Sequence, residues 1–345
     1  MKVFVGLSGG VDSAVSAALL QQQGHEVTGV FIRIALPGYP CSAGEDKIEA
    51  QRVAAHLGIP FKSIDLSEEY AKEVFKNTID EYKAGRTPNP DALCNQKIKF
   101  GAFFDWCIAN GADMVATGHY AQTKGGRLYK GKDAAKDQSY FLWMVPTAAL
   151  EKTLFPVGHL EKSEVRALAE KFNLPNAKRH DSQGLCFLGG ITVEDMLERE
   201  LQLVPGKVVD EAGVVVGTHR GVQLYTLGQR HGFALTNTTN EMSPYYVIAK
   251  DAARNQLVVS KEKYPKAAKR TSVTLAASNW INTIAPTTNI EARYRYRQQL
   301  LNATVDSKNS VMLLEPQYVP LGQSLVLYIE EECLGGGVIV EAKLL

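Results

Sequence analysis

Five residues that favour an extended strand, Val3 to Leu7, run straight into Ser8-Gly9-Gly10-Val11-Asp12-Ser13, and the chain continues as a helical stretch over 11–23. No other feature of the sequence restricts its fold so far. A glycine turn between a strand and a helix exposes backbone N–H groups at a helix amino terminus, where the macrodipole favours an anion, most often a phosphate. In open α/β sheets such ligands sit at the carboxyl ends of the strands, so the turn predicts a parallel sheet behind it.

The amino-terminal part supplies that sheet. Strand patterns over 2–7, 26–34, 60–66 and 113–117 alternate with helix patterns over 11–23, 45–57, 67–83 and 97–110. Gly24, Gly58 and Gly111 each follow a helix where a left-handed cap is wanted. The alternation predicts an α/β domain with helices on both faces of a parallel sheet. Residues 136 to about 203 read as mainly helical. Beyond "VPGK" the pattern changes to short alternating runs such as "PYYVIAK", "QLVVSK", "SVMLLE" and "QSLVLYIE", separated by turn residues, which predict small β-rich units. Boundaries are expected near Val204 and within 265–271.

A chain of 345 residues, 45% hydrophobic and 22% charged, is expected to be globular and to hold two or three domains. A net charge of +1 neither demands nor excludes nucleic acid. No apolar run approaches a membrane span, and Val3 already belongs to a strand, so neither a membrane partner nor a leader is expected. The five cysteines, Cys41, Cys94, Cys107, Cys186 and Cys333, form no CxxC pair, which argues against a disulfide framework or a zinc knuckle. The cytoplasm is the expected compartment.

The glycine loop lacks the lysine of a Walker motif and the spacing of a dinucleotide fingerprint. What it offers is a nest of N–H groups from Gly9, Gly10 and Val11, with Ser8 and Ser13 adding hydroxyls. Asp12 is an odd neighbour for a phosphate unless Mg²⁺ lies between them, which makes it the expected metal partner. A tight turn capped by Ser8 would also accommodate these residues. At this point "SGGVDS" resembles the loop of the N-type ATP pyrophosphatases (the PP-loop superfamily). That resemblance implies ATP, held by its pyrophosphate end while an acceptor oxygen attacks the α-phosphate.

Two cysteine segments bear on the acceptor. In "GRTPNPDALCNQKIKF", prolines stiffen the approach, and Asp91 and Cys94 are expected just before a helix starting near Lys97. A thiol there would feel the helix dipole, Lys97 and Lys99, all of which favour the thiolate. Cys107, in phase with Phe100, Phe103 and Phe104, reads as an ordinary buried cysteine. In "RHDSQGLCFLGG", Cys186 follows a Ser-Gln-Gly turn and is expected on a mobile loop, a setting that suits a group travelling between partners; a packed loop cysteine is the other reading.

The pairing of "NPDALCN" with "DSQGLCF" resembles the tRNA-specific 2-thiouridylases (the MnmA/TrmU family), and the resemblance runs nearly end to end. "ATGHY", "KDQSYFL", "LFPVG", "TLGQRHG", "YRYRQ", "PLGQS" and "CLGGGVI" follow in the family's order. The family implies a PP-loop ATP pyrophosphatase domain with a helical tRNA-recognition extension over 1–203. It also implies a small central β-rich domain over 204–268 and a C-terminal β-barrel over 269–345. The implied reaction is ATP-dependent 2-thiolation of the wobble uridine: adenylation of O2, then sulfur transfer from a cysteine persulfide, leaving AMP and pyrophosphate.

Carried over residue by residue, the resemblance makes Cys94 the nucleophile and Cys186 the persulfide carrier, with Asp91 beside them. ATP would be held by Gly6, Leu7, Ser8, Gly9, Gly10, Val11, Asp12 and Ser13, with Ile32 and Gly118. Asn89, Pro90 and Asp91 would contact the target base; His119, Lys136, Asp137, Gln138, Arg295, Tyr296 and Gln323 would contact tRNA. The implied partners are tRNAs for Lys, Glu and Gln, and a persulfide donor or relay protein supplied by a cysteine desulfurase. The chemistry is consistent with this, since adenylation turns a poor electrophile, the uridine C2 carbonyl, into one with a good leaving group.

In "ARYRYRQ", a strand would place Arg293, Arg295 and Arg297 on one face and Tyr294 and Tyr296 on the other, fit for phosphates and a stacked base. A solvated strand face over a core is the plainer alternative. Two segments depart from the family pattern: 35–45 (Ala35 to Glu45), which lacks an expected polar and acidic run, and 189–193 (Gly189 to Val193), which lacks charges after "FLG". Three other readings stay open. One is an amidating PP-loop ligase, one an enzyme holding an iron–sulfur cluster on Cys94, Cys186 and Asp91, and one a tRNA-binding protein with a dead ATP loop.

Overall fold

The first strand, β1 (Lys2–Gly6), buries Val3, Phe4 and Val5 on both faces, as an apolar run does at the centre of a parallel sheet. The computed structural model describes residues 1–39, 43–181, 184–236, 244–282, 290–307 and 309–345. On one side β1 pairs with β2 (Glu26–Arg33), which pairs with β3 (Phe61–Asp65). On the other it pairs with β4 (Met114–Ala116), and the short strand Thr153–Leu154 completes a five-stranded parallel sheet. The strand order therefore reverses at β1, and a crevice opens above the carboxyl ends of β1 and β4.

Helix α1 (Val11–Gln22) starts at Gly10 and is buried along most of its length by Val11, Ala14, Val15, Ala17, Ala18 and Leu20. It is wedged between the sheet and the helix Lys162–Lys171, whose Val165 and Ala169 join the same core. Helix α2 (Ala43–Leu57) covers the sheet through Ala50, Val53 and Ala54. The expected α/β architecture is present, with elements ending within a few residues of their predicted limits.

The helix expected near Lys97 starts earlier. Asn89 Oδ1 accepts a hydrogen bond from the Ala92 N–H at 3.2 Å and caps a helix whose first residue is Pro90. The run continues from Pro90–Cys94 into a wider, π-type stretch, Asn95–Ala102, and then into Phe103–Ala109. A second π-type stretch, Ala71–Phe75, follows Tyr70. Single π-type turns cost regular hydrogen bonding and are frequent at functional sites. Both flank the place where Cys94 and Cys186 meet.

The central sheet runs Ala234–Leu235, Val215–His219, Gly206–Val209, Gln256–Ser260, Tyr246–Asp251, over a small core of Val208, Val222, Tyr225, Val247, Leu257 and Val259. The last part is a closed antiparallel barrel. Thr271–Trp280, Ser310–Leu313, Leu301–Ser307, Ile290–Arg293, Ser324–Ile329 and Glu332–Leu344 pair in that order, and the last strand returns to the first. A hairpin from the amino-terminal part, Ala121–Lys124 and Arg127–Lys130, adds to the barrel's final strand at Glu332 and Cys333. Trp143, Tyr140 and Phe100 share a core with Val326, Tyr328 and Cys333, so the barrel is joined to the first part by a common sheet and a common core.

Candidate active site

The loop after β1 is tied together by its own serines: the Ser8 N–H donates to Ser13 Oγ at 3.2 Å and the Gly10 N–H to Ser8 Oγ at 3.3 Å. Gly9 has φ +79°, and a Cβ there would lie 2.7 Å from the Asp46 carbonyl oxygen, so the turn needs glycine twice over. Its carbonyl points away from the loop mouth, accepting from Asn176 Nδ2 at 2.8 Å and Arg179 Nη1 at 3.1 Å. Ser13 Oγ closes the turn from inside, donating to the Gly10 carbonyl at 3.1 Å. Gly118, just past β4, packs so closely on α1 that a Cβ would sit 2.7 Å from the Ser13 nitrogen.

Asp12 faces a cation of the protein itself. Lys162 Nζ donates to Asp12 Oδ1 at 2.6 Å and to Asp181 Oδ1 at 2.9 Å, while the Tyr120 hydroxyl donates to Asp12 Oδ1 at 2.8 Å. Asp181 also accepts from Lys136 at 2.7 Å and Arg166 at 2.6 Å. Burial alone would raise the Asp181 carboxyl, but the hydrogen bonds from Lys136 and Lys162 overcome it and bring its pKa to about 2. Lys162 sits in the first turn of its helix, where the dipole disfavours a cation. That local misfit is the one trace of its role in the sequence, and sequence reasoning passed over it together with Tyr120 and Asp181.

A cleft of about 620 Å³ runs from this loop across the crevice. Gly6, Leu7, Ser8, Gly10, Val11 and Ser13 line it at one end, with Ile32 and Gly118 beside them. Asp91 and Cys186 line the other end, and His119, Lys136, Gln138 and Tyr296 lie along its walls. Residues expected at an ATP site and at a sulfur site thus share one space. Gly9, Cys94, Asn89, Pro90, Asp137, Arg295 and Gln323 are not part of this lining.

Cys94 is not the polar, pre-helical thiol expected. It lies inside the helix that Asn89 caps, is 1% exposed, and packs with Ile98, Phe103 and Cys107. Yet it meets Cys186 side chain to side chain, and both are free thiols. Nor is the Cys186 loop loose in this state. Leu185, Leu188 and Ile191 anchor it in the core, the Leu185 N–H donates to the Ile191 carbonyl at 3.0 Å, and the Tyr70 hydroxyl donates to the Cys186 carbonyl at 3.0 Å. Ser182 and Gln183, which precede it, lie outside the described residues. The hydrogen bond with Cys94, then burial, then Asp91 hold the Cys186 thiol well above the usual cysteine value, against the pull of Lys99.

Lys99 Nζ lies 3.8 Å from Cys186 Sγ and 3.3 Å from His119 Nε2. Burial works against its charge, but Cys186, Cys94 and Asp91 more than offset this, so the ammonium is retained. Burial and Lys99 together push His119 well below the usual histidine value, so the ring is neutral. With Nε2 accepting from Lys99, the proton sits on Nδ1, which donates to Thr117 Oγ1 at 2.7 Å.

On the expected tRNA side, Gln138 is fixed by exchanging bonds with the Tyr120 backbone. Asp137 is buried, and its carboxylate is taken up by Gly131, Ser139 and Arg293. Asn89 Nδ2 donates to Ser324 Oγ at 3.1 Å, and Gln323 Oε1 accepts from the Tyr140 hydroxyl at 2.9 Å, so both stand at the seam between the barrel and the first part. The expected strand through "ARYRYRQ" ends at Arg293, and the chain then turns. The three arginines consequently diverge. Arg293 is buried against Asp137 and Tyr328, Arg295 donates to the Leu227 carbonyl at 2.6 Å, and Arg297 donates to the Ala135 carbonyl at 2.9 Å. Arg295 and Arg297 remain exposed, and Tyr296 rests on Phe141 with ring centroids 4.7 Å apart.

The first departing segment meets the far end of the helix Val193–Glu200, which follows the second. Tyr39 donates to Glu200 Oε1 at 2.8 Å, and Arg199 donates to the Gly38 carbonyl at 3.2 Å. Pro40, Cys41 and Ser42 lie outside the described residues. Among the described residues, no group of three or more His, Cys, Asp or Glu side chains converges to hold a metal ion. Cys94, Cys186 and Asp91 therefore do not form a ready ligand set for an iron–sulfur cluster. Asp12, paired with Lys162, is not a bare carboxylate awaiting Mg²⁺ either.

Residues 1–190 match the family described as tRNA methyl transferase HUP domain, 194–261 its PRC-barrel domain, and 270–339 an aminomethyltransferase beta-barrel domain. A protein named tRNA-specific 2-thiouridylase MnmA from Lacticaseibacillus paracasei is 41% identical, over 98% of this chain and 94% of its own. One of the same name from Pseudomonas entomophila is 44% identical, over 99% of this chain and 95% of its own. A solved NMN synthetase from Francisella tularensis overlaps 57% of this chain and 71% of its own at 18% identity, with a TM-score of 0.36, a likeness too distant to bear on function.

Proposed function

The chain belongs to the tRNA-specific 2-thiouridylase family, and on that premise we propose that its cleft adenylates O2 of the wobble uridine and replaces that oxygen with sulfur carried on Cys186. The descriptions of the matched regions speak of methyl transfer, the full-length relatives of thiolation. One observation favours sulfur: a phosphate-type turn and a thiol line the same cleft, with a second thiol directly behind the first.

The N–H groups of the loop hold the pyrophosphate end of ATP, and uridine O2 attacks the α-phosphate. Lys162, poised on Asp12, supplies the cation that the loop's own sequence lacks. Mg²⁺ would arrive with the nucleotide, and Asp12, in the loop itself, is the carboxylate that would receive it. Asn89, Pro90 and Asp91 bear on the base. Asp137 serves tRNA indirectly, by ordering the turn that presents Lys136 and Gln138. Arg295, Tyr296 and Gln323 bear on tRNA from the barrel side.

Sulfur then moves in balanced steps. The outer sulfur of the Cys186 persulfide attacks C2 and AMP leaves. Cys94 thiolate attacks Cys186 Sγ, the sulfur–sulfur bond to C2 breaks, and its electron pair forms the C=S bond. The Cys94–Cys186 disulfide that results is reduced by an external dithiol. The sulfur donor is a protein persulfide generated by a cysteine desulfurase, the tRNAs are those for Lys, Glu and Gln, and the compartment is the cytoplasm.

Reconstitution tests this reading. Protein, ATP, tRNA and a persulfide donor should yield 2-thiouridine at the wobble position with matching AMP and pyrophosphate. Nucleotide turnover without thiolated nucleoside would contradict it.

A further inference from the structure

Lys99 carries a charge that the fold does not explain. The residue is partly buried with its ammonium turned inward, and its nearest groups are a neutral imidazole at 3.3 Å and the Cys186 sulfur at 3.8 Å. Among the described residues no carboxylate forms an ion pair with it; Asp91 acts only from further off. An ammonium held out of water without a paired anion is costly, so its retention points to an anion formed at this place during the reaction.

The backbone is bent to put it there. On an α-helix, a residue five positions beyond Cys94 lies about 140° around the cylinder, away from the thiol. The π-type stretch Asn95–Ala102 replaces those turns with i→i+5 turns, and Lys99 returns to the side that Cys94 and Asp91 present to Cys186. His119 then fixes Nζ from the opposite side as a hydrogen-bond acceptor, and Thr117 sets the tautomer that makes it one.

We propose that Lys99 is a catalytic residue for sulfur uptake, its ammonium holding Cys186 Sγ as the anion that attacks the donor. In that step Cys186 Sγ⁻ attacks the outer sulfur of a donor persulfide R–S–SH. The new Sγ–S bond forms as the R–S bond breaks, and the donor departs as the thiolate with the electron pair. No oxidant or reductant is consumed. This inference rests on the reading of Cys186 as the sulfur carrier.

The test uses full-length protein carrying Cys94→Ser, so that Cys186 titrates without its partner. Alkylation of Cys186 by iodoacetamide is followed against pH by peptide mass spectrometry, with uptake of labelled sulfur from a persulfide donor measured in parallel. Lys99→Met is expected to move the alkylation midpoint up by about one pH unit, and so to slow alkylation about tenfold near pH 7. Sulfur uptake should fall by a similar factor, and Lys99→Arg should restore much of both. Thermal melting midpoints of the Lys99→Met and Lys99→Arg proteins should agree within a few degrees with that of the parent protein, which separates the effect from misfolding. An unmoved alkylation profile with sulfur still reaching Cys186 overturns the role of Lys99. A moved profile in a protein that never labels Cys186 overturns the carrier reading instead, and with it the catalytic purpose given to Lys99.

Discussion

Lys162 reaches back across the molecule to place Nζ 2.6 Å from Asp12 Oδ1, at the lip of the glycine loop. The same nitrogen holds Asp181 at 2.9 Å, and Asp181 opens the segment that leads to Cys186. Glycine loop and thiol loop are therefore linked through one ammonium. Phosphate oxygens entering the loop would compete with both carboxylates for it.

Lys162→Met is expected to lower tRNA-dependent pyrophosphate release about 10–100-fold, the scale of a charged hydrogen bond worth ~1.5–3 kcal/mol. Steady-state assays with thermal melting alongside would check this. Unchanged release would leave Lys162 as a structural partner of Asp12 and no more.

Asp181 gives a pH signature. Its folded-state pKa, about 2, lies below the ordinary 3.8, so it stabilises the fold above about pH 4 and that contribution is lost as pH falls toward 2. Asp181→Asn should cost on the order of 1 kcal/mol at pH 7, the scale of partly exposed ion pairs, and progressively less on acidification. Denaturant midpoints measured at pH 7 and near pH 3 would show the gap closing; a constant gap would contradict it.

The arginines of "ARYRYRQ" should separate by assay. Arg295→Ala and Arg297→Ala each remove one exposed cation and should lower the salt slope of tRNA binding by about one. Arg293→Met instead strands the buried Asp137 carboxylate and should cost about 3–5 kcal/mol of stability. A second change, Asp137→Asn, should recover part of that loss. Filter binding across salt concentrations and a double-mutant cycle would test the two halves.

The sequence discloses what is periodic and local. The strand–glycine loop–helix unit and the parallel sheet follow from residues close together in the chain, and they stand where expected, with the loop lining one part of the cleft. Two further local signals are legible, one of them read as something else and the other passed over. Asn89 followed by Pro90 is a cap and first helical residue, yet between Pro88 and Cys94 it reads as a stiff turn. Gly125 and Gly126, both at positive φ, make a two-residue hairpin turn inside a stretch without strong alternation. The rest is tertiary. Nothing near Lys162 points to Asp12, a residue 150 positions away. Nor does the alternation in "ARYRYRQ" reveal that the strand stops at Arg293, whose burial is fixed by Asp137 and Tyr328 on other elements.

The division of labour between Cys94 and Cys186 is the centre of the account, and labelled-sulfur transfer reads it most directly. Cys94→Ser protein is given a persulfide donor, ATP and tRNA, digested without reductant, and the labelled peptide identified by mass spectrometry. Label should sit on the peptide containing Cys186, with pyrophosphate released and no free thiolated tRNA, because the sulfur that would discharge Cys186 is missing. The matching Cys186→Ser protein should release pyrophosphate and take up no label in the cleft. Label appearing on Cys94 in that second protein, with thiolated tRNA formed, would contradict the account.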